Sequence, residues 1–90
     1  MVEEKVTVTN SIGLHARPAS QFLRTATQFE SEVTLIKDDR EYNGKSIISI
    51  LAMAAKKDTL LTIRCSGEDE EEALSTLVQL VKNELGIQDI

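Results

Sequence analysis

The amino-acid sequence predicts an α+β domain in which an antiparallel sheet of four strands is covered on one face by helices. Three observations predict it. Apolar residues recur with period two in four stretches and with helical period in three, in the order strand, helix, strand, strand, helix, strand, helix. Turn-forming residues between the second and third strands mark a hairpin, and the helices on either side of it give a split βαβ plan. The 90 residues, 41% hydrophobic and 28% charged, suit one globular domain spanning 1–90, with no linker, repeat or low-complexity segment. With no Trp, one Tyr and two Phe, aliphatic side chains must fill the core.

Each element has its own signal. Val2, Val6 and Val8 lie on one face of an opening strand, broken by Asn10, Ser11 and Gly13. Ala19, Phe22, Leu23, Ala26 and Phe29 form a helical stripe. Val33 and Leu35 alternate in a second strand, and Asp38-Asp39 turns the chain into a short third one around Tyr42. Ser46 precedes the apolar run IISILAMAA as a natural helix N-cap, and the run is expected to end at Lys56, Lys57 and Asp58; if Ile50, Leu51 and Ala54 pack inward, part of its first turn must face out. Leu61, Ile63 and Cys65 share a face of the fourth strand. The acids of EDEEEAL suit the start of a last helix with Leu74, Leu77, Val78, Val81 and Leu85 as its stripe and Gly86 as its closing residue.

Composition excludes several functions. A net charge of −5, with no stripe of Lys and Arg, argues against binding nucleic acid through its phosphates. The opening MVEEKVTVTN carries no export signal, and no apolar run is long enough to span a membrane, so a cytoplasmic protein is expected. Cys65 is the only cysteine, so no internal disulfide forms; it reads as a core residue. The acids Glu68–Glu72 read as a solvated helix start, because consecutive helical side chains point in different directions. No metal and no cofactor are assigned.

The chemistry centres on GLHARPAS, residues 13–20, which holds the only histidine. Pro18 belongs in a first helical turn, where a missing N–H costs nothing. His15 then stands at or beside the N-cap, with the amides of Ala16 and Arg17 at the positive end of the helix, a ready site for phosphate. The same field favours a neutral, nucleophilic imidazole, and the Arg17 guanidinium is suited to hold phosphoryl oxygens. Two readings follow from the residues alone: an inert loop histidine beside a solvated cation, or a place where a phosphoryl group is taken up and released.

The segment GLHARPA resembles the active-site signature of the histidine-containing phosphocarrier family, HPr, of the bacterial phosphoenolpyruvate-dependent sugar phosphotransferase system. The resemblance extends over the whole chain, through the KSI segment at 45–47 and the acidic GEDEEEAL at 67–74. It implies an open-faced β-sandwich of order βαββαβα. It implies a stoichiometric carrier, not an enzyme, in which His15 is phosphorylated on Nδ1, the pros nitrogen. Arg17 would steady the phosphoryl group, whose oxygens would rest on the Ala16 and Arg17 amides. The partners implied are enzyme I as donor and enzyme IIA proteins as acceptors, met by a monomer in sugar uptake.

Ser46 also has two readings, a silent helix cap or, as the resemblance implies, a regulatory phosphorylation site served by a serine kinase/phosphorylase. In the second case the alternative function is a corepressor that docks on a transcription regulator in carbon catabolite repression. Around it a docking patch is expected from Ala16, Ile47, Ile48 and Leu51, rimmed by Arg17, Arg24 and Lys45; the competing reading puts both isoleucines in the core. Many relatives carry Met at position 48, Gly at 49 and a small or polar residue at 12, where this chain has Ile48, Ser49 and Ile12.

Overall fold

Four amphipathic strands can hide their apolar faces only by joining edge to edge and taking a cover on one side. The computed structural model, which describes residues 1–10 and 13–84, shows this arrangement. The elements in order are β1 (Val2–Thr7), α1 (Ala16–Ala26), β2 (Glu32–Lys37), β3 (Arg40–Asn43), α2 (Ile47–Met53), β4 (Leu60–Ser66) and α3 (Glu70–Gln79), the last running into a π-helical turn over Leu80–Glu84. The sheet order is β1-β4-β2-β3, and every pairing is antiparallel.

The register sets the core. Val6 lies opposite Leu61, while Leu35 lies opposite Ile63 on one side and Tyr42 on the other. The inward row of Val6, Val33, Leu35, Leu61, Ile63 and Cys65 is buried against Ala19, Phe22 and Ala26 of α1, Ile50 and Met53 of α2, and Ala73, Leu77 and Val78 of α3. Asp38 and Asp39, with φ of 52° and 66°, make the expected two-residue hairpin turn; the left-handed backbone conformation at both positions gives the turn a twist that matches the right-handed twist of the strands. Burial, with Asp69 and Glu70 nearby, pushes the Cys65 thiol up to about 11, so it is a protonated core residue.

Several elements differ from the sequence reading. The first strand ends at Thr7, yet Val8 is still buried; its N–H donates to the Thr59 carbonyl at 2.9 Å, and its carbonyl accepts from Asp58 N at 2.8 Å. Helix α1 stops at Ala26, leaving Phe29 half-buried in the following turn. Helix α2 ends at Met53, several residues earlier than expected, because Ala54 takes the left-handed conformation (φ 54°, ψ 42°). Its inward residues are Ile50 and Met53, one turn apart, whereas Leu51 and Ala54 face solvent. The expectations for Ile12, Leu85 and Gly86 lie outside the described residues.

The acidic stretch is also not simply solvated. Asp69 accepts from the Glu30 and Ser31 backbone amides at 2.9 and 3.0 Å and from the Ser31 hydroxyl. Glu70 pairs with the N-terminal amine at 2.9 Å and accepts from Gly67 N at 3.1 Å. These bonds stitch the α1–β2 corner and the chain start to the beginning of α3. Ser31 is fully buried, and Gly67 packs so closely on it that a Cβ there would lie 2.7 Å from Ser31 Cα.

Candidate functional site

His15 is the N-cap residue of α1, with extended backbone (φ −81°, ψ −168°). Its carbonyl accepts the first helical hydrogen bond, from Ala19 N at 2.8 Å. Its side chain makes no capping bond, so the exposed imidazole is not spent on closing the helix. Ala16 and Arg17 follow as the first two helical residues, both exposed, and the buried ring of Pro18 anchors the turn to the domain. The positive end of the α1 dipole thus lies beside an exposed histidine and an arginine.

The approach to His15 is held by close backbone packing. Gly13 has φ +69°, and a Cβ there would lie 2.4 Å from the Ala55 carbonyl oxygen, so both its conformation and its surroundings require glycine. Leu14 N donates to that same Ala55 oxygen at 2.8 Å. The loop before α1 therefore rests on the segment after α2. Between the two lies a hollow of about 140 Å³ lined by Leu14, His15, Leu51, Ala54, Ala55 and Lys56. The left-handed turn at Ala54 brings that segment up to the loop and leaves Leu51, 41% exposed, beside the imidazole.

The other expected site residues are distributed unevenly. Ile48 is 79% exposed, the most exposed large apolar side chain of the folded elements, whereas Ile47 is half-buried against the core. The two readings of this pair thus divide between its members. Arg17 and Arg24 are seven residues apart, two turns of α1, and so share one face of it. Lys45 is drawn elsewhere: its Nζ donates to the Phe29 carbonyl, and it lines a hollow over β2 and β3 with Glu30, Glu32 and Glu41. Ser46 is the N-cap of α2, its Oγ accepting from Ser49 N at 3.3 Å; Ser49 Oγ in turn accepts from Asn43 N at 3.0 Å. Ala54 and Ala55 were missed as neighbours of His15, since nothing in an alanine pair signals a left-handed turn.

Comparison with known proteins shows the family. Residues 2–83 match the sequence model of the family described as PTS HPr component phosphorylation site. The chain belongs to the HPr family. It is 40% identical over 86 residues to the phosphocarrier protein HPr of Neisseria meningitidis, covering 96% of this chain and 97% of that protein. It is 42% identical over 85 residues to the HPr-like protein Crh of Bacillus subtilis, covering 94% and 100%. The crystal structure of HPr-C-His from Thermoanaerobacter tengcongensis superimposes with a TM-score of 0.92 at 37% identity, over 96% of this chain and 97% of that one. An HPr-family chain is a phosphocarrier of the sugar phosphotransferase system: it relays a phosphoryl group and does not turn over a substrate. Among the described residues no helix is long and apolar enough to cross a membrane.

Proposed function

We propose that His15 is the residue that carries the phosphoryl group, received from phosphorylated enzyme I and passed to enzyme IIA proteins. The imidazole lone pair on Nδ1 forms the N–P bond as the bond to the donor breaks, and the reverse step releases the group to the acceptor. Arg17 holds phosphoryl oxygens from one side while the amides of Ala16 and Arg17 receive them at the helix end. Ile48 and Leu51, with Ile47 beneath and Arg24 at the rim, form the surface on which partners dock.

The observation that carries this reading is the exposed imidazole at the N-cap of α1 without a capping bond of its own. A capping side chain would face its own helix; this one faces solvent at the positive end of the dipole. The test is incubation with enzyme I and phosphoenolpyruvate, followed by intact mass. One phosphoryl group, lost in acid and stable in base, should appear on the chain and be absent from a folded His15→Ala variant. The same acid-labile label on that variant would place the chemistry elsewhere.

A second reading has the similarity to Crh in its favour, at 42% identity beside 40% for the Neisseria carrier. In it Ser46, phosphorylated by a serine kinase, makes the chain a corepressor for a transcription regulator. The two roles are compatible, and the presence of His15 favours the carrier.

A further inference from the structure

We infer that Asn10 is a positioning residue for phosphoryl transfer, setting the loop that aims His15; the inference rests on His15 being the acceptor. The imidazole makes no capping bond, so its placement depends on the backbone that precedes it. That backbone is closed by a reciprocal pair of bonds: Gly13 N donates to the Asn10 carbonyl at 3.2 Å, and Asn10 Nδ2 donates to the Gly13 carbonyl at 2.7 Å. The next residue, Leu14, is bonded to Ala55. Two residues before the histidine, the chain is therefore gripped by one side chain from its own turn and by one carbonyl from the segment after α2.

The far side of the Asn10 amide shows that this grip is not an optimised stability device. Asn10 Oδ1 is buried and has no hydrogen-bond partner among the described residues. A buried acceptor without a donor is destabilising, and such groups in native structures call for a reason beyond folding. Exchanging the amide oxygen and nitrogen does not cure it, because two oxygens would then face each other at Gly13. The side chain is thus kept in an unfavourable setting by the one bond it makes among the described residues, and that bond ends in the loop carrying His15. A wrong aim costs rate steeply, since even about 1 Å of misplacement of a reacting group lowers rates by as much as about 100-fold.

Truncation separates the two roles. Asn10→Ala removes the bond to Gly13, but it also removes the orphaned acceptor, and these effects on stability oppose each other. The melting temperature should therefore stay close to that of the parent, while phosphoryl uptake from enzyme I, followed by rapid quench, should slow by about tenfold or more. The Leu14 amide should exchange with solvent faster as the loop loosens. Asn10→Asp supplies a second readout. As a carboxylate it has no proton to give the Gly13 carbonyl, and as a carboxylic acid it does. Burial beside a carbonyl raises its pKa, so its rate relative to the parent should recover as the pH is lowered from about 8 to about 5.5. Taking the ratio at each pH removes pH effects common to both proteins. An unchanged uptake rate in Asn10→Ala, or a rate that falls only in step with the melting temperature, would overturn the positioning role alone. Persistence of the label in His15→Ala would refute the acceptor assignment, and the positioning role with it.

Discussion

Ala54→Gly should stabilise this protein, against the usual effect of the substitution in a helix. Ala54 sits at φ 54°, ψ 42°, a conformation in which an L side chain crowds the backbone at a cost of about 1–2 kcal/mol. Glycine relieves that cost but makes the unfolded chain more flexible, which is worth about 0.4–1 kcal/mol in the other direction. Ala54 is exposed, so loss of its methyl group uncovers little core. The net gain is then about 0.5–1 kcal/mol, and for a chain of this size that is a rise in melting temperature of about 3–6 °C. A thermal melt by circular dichroism or calorimetry reads it directly. At an ordinary right-handed helical position the same change would cost about 0.5–1 kcal/mol, so the sign of the shift decides. Asp58, at φ 73°, gives an internal comparison: Asp enters this region more readily, so Asp58→Gly should gain less. A fall of several degrees for Ala54→Gly would refute the reasoning, and with it the turn that brings Ala55 to the His15 loop.

Four further outcomes are expected. Arg17→Ala should slow phosphoryl uptake strongly while leaving the melting temperature nearly unchanged, because Arg17 is exposed at the helix start; a parallel fall of both would make it structural. The Ser31 hydroxyl, followed by the Glu30 amide, holds the Asp69 carboxyl below the usual carboxylate range. The stability it contributes is present above the unfolded value of about 4 and is lost as pH falls through the lower folded one. Asp69→Asn should therefore lower the melting temperature at neutral pH, and its difference from the parent should shrink below about pH 4; a difference constant with pH would argue against the carboxylate. Ser46→Ala should cost about 0.5–1 kcal/mol in chemical denaturation, the low end for a cap because its bond to Ser49 N is long. Ser46→Asp should retain stability yet weaken uptake from enzyme I at low salt and less so at high salt, since its charge lies beside Ile47 and Ile48. Equal uptake at both salts would leave Ser46 as a cap alone.

Much of this molecule was legible in its sequence because the signals involved are local. Alternation of Leu61, Ile63 and Cys65 requires a strand with one buried face, and Asp38-Asp39 suits a tight hairpin. Ser46 before an apolar run caps a helix, and Pro18 dates the start of α1 to within a few residues upstream, where it begins at Ala16. The GLHARPA segment likewise has its meaning in consecutive residues, which is why the sequence alone points to the HPr family. The boundaries of α1 and α2 were less legible: Phe29 and Ala54 both continue a helical pattern, and neither carries a residue that stops one.

What only the tertiary structure decided are the relations between segments distant in the chain. The acids at 68–72 look alike in sequence, yet Asp69 meets the amides of Glu30 and Ser31, 38 to 39 residues away, and is bound there. Ile47 and Ile48 are identical side chains in adjacent positions, and the angle at which α2 lies on the sheet half-buries one and exposes the other. Lys45 reads as a rim cation until the Phe29 carbonyl comes within reach of its amine. The His15 loop leans on Ala55, forty residues along, at a distance that leaves no room for a Cβ on Gly13. Periodicity and capping are properties of neighbours in sequence, whereas a hydrogen-bond partner or a close backbone contact is supplied by whatever the folded sheet carries to that point.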